Sequence, residues 1–215
     1  MRARPVVAIL SIVAGAACAH ESATPQATTP AAASSATAPA NSGRPGTIVG
    51  TIVTDPYNAI KKGAFIYIED APQEPGPSAP AMMDNHDMAF VPSIVVVRAG
   101  GTVTFGNTDP FVHNAFSPDG EKWDVGEIPT HGAVPRTFDK PNIYTVLCNL
   151  HQNMVAYIVV TPSSYFAKTD ADGKYSLRAP NGTYRVTAWA PHLKPKTQPV
   201  TVTDGEVTLN FELAR

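Results

Sequence analysis

The sequence predicts an all-β protein of the sandwich type, and three observations carry that prediction. Runs of β-branched and aromatic residues recur along the chain, no segment holds a helical period over twelve residues, and the gaps between runs carry turn chemistry. In order, the runs are Gly46–Asp55, Ala64–Glu69, Ile94–Arg98, Thr102–Phe105, Tyr144–Leu147 and Ala156–Val160, with Asp-Pro, Gly-Gly and Pro-Asp-Gly between them. Beyond Pro162 a further set begins, in which Asp172-Gly173, Asn181-Gly182 and Asp204-Gly205 are each followed by alternating β-formers, a hairpin or turn signal. Asp170 and Asp172 read as turn makers, because a calcium loop needs further oxygens and a distal Glu.

The N-terminal 45 residues read differently. Residues 1–19 have the pattern of an export signal, with Arg2 and Arg4 ahead of an apolar run from Val6 to Ala17 that is too short to span a bilayer. Cys18 leaves two readings open: lipidation of its thiol, which would tether the protein to a membrane, or cleavage at the small-x-small site Ala17-Cys18-Ala19. Either reading places the protein outside the cytoplasm, in the periplasm or outer cell envelope. Residues 20–45 read as a disordered tether, since 20 of the 25 residues from Glu21 to Pro45 are Ala, Thr, Pro or Ser.

About 170 residues remain for folding, enough for one large or two small domains. The net charge of −2 argues against a nucleic-acid partner. Of the two cysteines only Cys148 falls in this part, so no internal disulfide is expected, and an exported lone thiol is either at risk of oxidation or held by a metal.

Cys148 opens the stretch CNLHQNM, which holds three metal-ligating side chains: Cys148, His151 and Met154. It follows a strand in which Tyr144, Val146 and Cys148 share a face, so the thiol should point inward at the sheet's end. A tight loop over 149–154 can bring His151 and Met154 round the sulfur, and His113, expected on a loop after the strand at 103–105, supplies another imidazole. One thiolate and two imidazoles in a trigonal array with a weak axial thioether is the donor set of a one-electron copper site. Thiolate and thioether favour Cu(I), imidazole accepts Cu(II), and one site then serves both states.

Three alternatives remain. Zinc is disfavoured because Met is a poor zinc ligand. A Cys148–His151 nucleophile pair has no evident orienting acid or oxyanion hole. An inert buried Cys148 is the bland reading. No His-x-His pair is present for a multicopper oxidase.

The stretches Asp109–Phe116 (DPFVHNAF) and Tyr144–Met154 (YTVLCNLHQNM) resemble the cupredoxin family, with the short Cys-x2-His-x2-Met loop of its amicyanin branch, and Ala99–Asp109 and 137–146 resemble its framework. The resemblance covers about residues 81–161 and implies a Greek-key β-sandwich and a single type 1 copper ion bound by His113, Cys148, His151 and Met154. By the same resemblance Asn114 would tie the His113 segment to the Cys148 loop, and His151 would be the electron's exit among apolar residues, with Phe111, Phe116 and Leu150 as candidates. Gln152 stands where such loops often carry Pro. Residues 46–80 and 162–215 resemble the two halves of a carboxypeptidase regulatory-like (transthyretin-like) sandwich, with Thr169–Leu177 (TDADGKYSL) and Gly182–Val186 (GTYRV) in its second half. The cupredoxin segment would then be inserted into that sandwich, or followed by it.

The expectation is an electron carrier rather than an enzyme, exchanging single electrons with redox partner proteins. A second expectation is copper trafficking or storage, with Met82, Met83, His86 and Met88 as an accessory Cu(I) set, although methionines filling gaps before the first inserted strand explain that cluster equally. A third is a metal-free binding or scaffold module. His20, His131 and His192 show no ligand spacing.

Overall fold

A computed structural model describes residues 44–54, 63–74 and 76–215. The export signal, Cys18, His20 and nearly all of the tether lie outside the described residues. Among the described residues no helix is long and apolar enough to cross a membrane.

Seventeen strands form in the described residues. In chain order they are β1 (Gly46–Thr54), β2 (Phe65–Ile68), β3 (Ala81–His86), β4 (Ala89–Val91), β5 (Ile94–Arg98), β6 (Gly101–Asn107), β7 (His113–Ser117), β8 (Trp123–Ile128), β9 (Ala133–Phe138), β10 (Asn142–Leu147) and β11 (Val155–Thr161). They continue as β12 (Phe166–Lys168), β13 (Lys174–Ala179), β14 (Gly182–Trp189), β15 (Lys196–Val202), β16 (Glu206–Thr208) and β17 (Phe211–Leu213).

Pairing sorts them into two sandwiches. One stacks the sheet β5-β11-β10-β7-β8 on the sheet β4-β3-β6-β9. The other stacks β13-β1-β16, with β17 also on β1, against β12-β2-β14-β15. The chain therefore leaves the second sandwich after β2, builds the whole of the first, and returns at β12.

Alternation explains each core. In β13 Tyr175, Leu177 and Ala179 are buried between exposed neighbours, and they join Ile48, Ile52, Ile66, Ile68, Val186, Phe211 and Leu213. The other core gathers Met83, Val103, Phe105, Ile128, Val146 and Ile158 around Trp123, whose ring lies 5.5 Å from Phe105, 5.5 Å from Phe138 and 6.2 Å from Tyr144.

The three turn dipeptides do not join hairpins within a sheet. Asp172-Gly173 passes from β12 to β13, Asn181-Gly182 from β13 to β14, and Asp204-Gly205 from β15 to β16, each crossing from one sheet to the other. β1 is the reason, because it takes β13 on one edge and β16 on the other, so the strands beside those turns find partners distant in sequence. The positive φ values of Gly173 (78°) and Gly205 (103°) still require glycine there. Asp170 acts as a turn maker, its Oδ1 accepting from the amides of Asp172 (2.9 Å) and Lys174 (2.8 Å).

The two sandwiches share a small third core. Ile94 and Val159 on the outer face of β5 and β11 pack with Phe65 and Trp189, and the Tyr157 ring meets Trp189 edge-on at 5.2 Å. Trp189→Ala should therefore destabilise the protein by about 3–5 kcal/mol. Chemical denaturation checks this, with a wild-type-like midpoint as the contrary result.

Candidate metal centre

β6 and β7 bring the first ligand into place. His113 is the first residue of β7 rather than part of a loop, and a β-bulge between Asn114 and Phe116 interrupts its pairing with β8. Strict alternation would send Asn114 to the surface, whereas His113, Asn114 and Ala115 are all buried. β10 meets β7 through the single pair Leu147 and Phe116, leaving the sheet open where Cys148 follows. The loop closes through Asn153, whose φ of 73° is one that asparagine tolerates.

There the donors converge. Cys148 Sγ lies 3.9 Å from His113 Nδ1 and 4.0 Å from His151 Nδ1, and the two imidazole nitrogens are 3.1 Å apart. A triangle of those sides has its centre about 2.1 Å from each corner, close to the bond lengths of a first-row metal to imidazole and thiolate. Cys148 is 8% exposed, His113 fully buried and His151 partly exposed. Met154, 3% exposed, packs in the same core cluster as Cys148.

Two side chains hold this arrangement. Asn114 Oδ1 accepts from the amide of Asn149 (2.8 Å), tying the His113 strand to the Cys148 loop, while its Nδ2 donates to Asp124 Oδ1 (3.2 Å). His113 Nε2 lies 2.8 Å from Asp109 Oδ2. Burial opposes ionisation of Asp109, yet hydrogen bonds from the Met88 amide, His113 and the Asp87 amide outweigh it and hold the carboxyl below its ordinary value. An ionised carboxylate only accepts, so His113 Nε2 carries the proton and Nδ1 keeps its lone pair facing Cys148 and His151.

Sequence reasoning missed Asp109 in this role, though it opens the quoted DPFVHNAF stretch. The only signal was a carboxylate four residues before a candidate ligand. Asp109→Asn should weaken copper binding about 10- to 100-fold, measured by competition with a copper chelator. The depressed pKa adds stability that is complete above about pH 4 and lost as pH falls through the lower folded value. Acid unfolding of the Asp109→Asn protein should accordingly show a shallower dependence on pH in that window.

His151 sits among the exposed side chains expected for an exit, with a difference. The Phe111 ring is 5.1 Å from both His113 and His151, and Leu150 is exposed, but Phe116 is half-buried in the sheet; the exposed Val112 flanks Phe111 instead. In the methionine stretch, β3 alternates, so Met83 lies in the core while Met82 and His86 face outward, and Met88 is exposed in the turn to β4. His131 donates its amide to the Asn107 carbonyl, and His192 lies 3.4 Å from the Tyr157 hydroxyl.

Residues 79–161 match the profile of the copper binding proteins of the plastocyanin/azurin family. This segment is a cupredoxin domain. Residues 153–214 match the carboxypeptidase regulatory-like domain. The two matches overlap over β11, which in the structure pairs with β5 and β10 of the cupredoxin domain, and β1 and β2 from upstream complete the regulatory-like sandwich.

Among solved structures, a purple cupredoxin from Nitrosopumilus maritimus is similar at 21% identity over 38% of this chain and 99% of its own (TM-score 0.35). A Cu(I) amicyanin carrying a methionine-to-glutamine substitution is similar at 22% identity over 38% of this chain and 81% of its own (TM-score 0.36). A copper-containing nitrite reductase from Thermus scotoductus is similar at 24% identity over 51% of this chain and 28% of its own (TM-score 0.36). Structural protein 27 of a virus isolate from Australia/Victoria is 30% identical over 94 residues, which are 44% of this chain and 19% of that protein.

Proposed function

We propose that this protein is an exported blue-copper electron carrier, in which His113, Cys148, His151 and Met154 would hold the copper ion. The observation that carries the proposal is the triangle of one sulfur and two imidazole nitrogens, sized for a single first-row ion. Bound copper would supply the one-electron couple between Cu(II) and Cu(I).

The chain's own residues supply the rest. Asp109 keeps the ligating lone pair on His113, Asn114 fixes the Cys148 loop, and burial of His113, Cys148 and Met154 leaves those donors little room to rearrange. His151, between the exposed Phe111, Val112 and Leu150, offers an apolar face on which a redox partner docks briefly. Residues 1–19 would direct export and residues 20–45 would hold the domains away from the envelope, with Cys18 as the anchor if it is lipidated.

Voltammetry of the copper-loaded protein tests the carrier role. The expected result is one reversible one-electron wave with copper retained in both states. Loss of copper on reduction, with transfer of Cu(I) to an added chelator, would overturn it in favour of trafficking, a reading supported by the exposed thioethers of Met82 and Met88.

A further inference from the structure

His86 and Asp87 of the β3–β4 hairpin and Asp109 of the β6–β7 connection form a group of side chains outside the copper triangle. One ligand atom from each of His86, Asp87 and Asp109 lies within 4.8 Å of the others. His86 and Asp87 are exposed, and Asp109 is the buried carboxylate already bonded to His113.

Groups outside this trio set the state of His86. Thr108 Oγ1 donates to the Asp84 carboxylate at 2.6 Å, so toward His86 Nδ1, at 3.0 Å, it is the acceptor. His86 then carries its proton on Nδ1, and Nε2 presents a lone pair. That nitrogen lies 3.6 Å from Asp87 Oδ2, too far for a hydrogen bond but a separation that two donors of one ion adopt. The relay repeats the logic at His113, where a carboxylate takes one ring N–H and the other nitrogen is free. Gly106 makes room for it, because a Cβ there would stand 2.6 Å from Asp84 Oδ1, a buried oxygen with no hydrogen-bond partner.

We infer that His86 Nε2, Asp87 and Asp109 form a second cation site, separate from the copper triangle, that takes a divalent first-row ion of the zinc or cupric type. One imidazole and two carboxylates suit such an ion, with water completing its shell on the exposed side. Asp109 links the two sites. A cation on its carboxylate draws charge away from the bond to His113, makes that imidazole a weaker donor and destabilises Cu(II) relative to Cu(I). Occupation therefore raises the copper reduction potential, and reduction of copper tightens the second site by the same factor. Only this coupling rests on the copper reading above.

The test uses Zn(II) added to the copper-loaded full chain, followed by calorimetry and zinc-edge X-ray absorption. One zinc is expected beyond the copper, with one imidazole, oxygen donors and no sulfur, and the copper potential should rise on its addition. His86→Ala and Asp87→Asn should each weaken zinc binding about tenfold or more and abolish the rise. Zinc binding unchanged in both variants, no zinc bound, or a sulfur donor on the zinc would overturn the site. The copper-free Cys148→Ser chain separates the two proposals: there His86→Ala should still remove one bound zinc, whatever spectrum copper gives in the native protein.

Discussion

The Cys148→Ser protein is expected to lose the intense visible absorption of its Cu(II) form, with intensity falling about tenfold or more, while His113 and His151 still hold copper weakly. The band would arise from charge transfer out of the thiolate, so a hydroxyl of similar size at the same point removes the cause without opening a large cavity. Cys148 Sγ stands at the apex of the donor triangle, 3.9 and 4.0 Å from the two imidazole nitrogens, and no other described thiol can replace it. Copper hyperfine splitting should widen to that of an ordinary Cu(II) site in the same variant. Retention of the intense band would show that sulfur from Cys148 is not a ligand.

A large effect on stability is also expected at Gly50. A Cβ there would lie 1.9 Å from the carbonyl oxygen of Leu209, 2.8 Å from its carbon and 3.0 Å from the Tyr175 hydroxyl. The nearest obstacle is backbone, so no side-chain rotation relieves it. The same Leu209 donates its amide to the Val49 carbonyl at 2.9 Å and accepts the Tyr175 hydroxyl, a closure that fastens the C-terminal strands to β1. Gly50→Ala must push those strands away from the centre of the regulatory-like sandwich. The cost should be about 3 kcal/mol or more, at the upper end for overpacking, read as a lowered midpoint in denaturant.

Much of the fold was legible because its strands bury one face or two. β1, β2, β5, β6, β10 and β11 coincide with runs of Val, Ile, Tyr and Phe. The strands that escaped notice lack that pattern. β8 and β9 each expose half of their residues, and β9 contains Pro135, which an edge strand admits because it need not donate on its outer side. β3 and β4 hid behind the Met and His residues of their hairpin, whose turn residues Asp87 and Met88 take positive φ that no glycine announced.

The site divides along the same line. Cys148, His151 and Met154 lie within seven residues, so spacing exposed them, and His113 came from the His-Asn pair on a neighbouring strand. Asp109 was hidden because its role depends on the chain between β6 and β7 bringing its carboxylate back to His113 Nε2, a through-space relation that spacing does not encode. The shared core of Trp189 and Val159 had a fainter signal. In β11 Val159 and Val160 are both buried, which a strand with one solvent face does not need, and the apolar run over 158–160 signalled cover on both sides.

Copper-edge X-ray absorption of the copper-loaded chain in both oxidation states would test the central claim most directly. One short sulfur and two imidazole nitrogens are expected around the ion, with little change in those distances between Cu(II) and Cu(I). A shell of nitrogen and oxygen alone, or a sulfur shell that appears only on reduction, would contradict a preformed site at His113, Cys148 and His151.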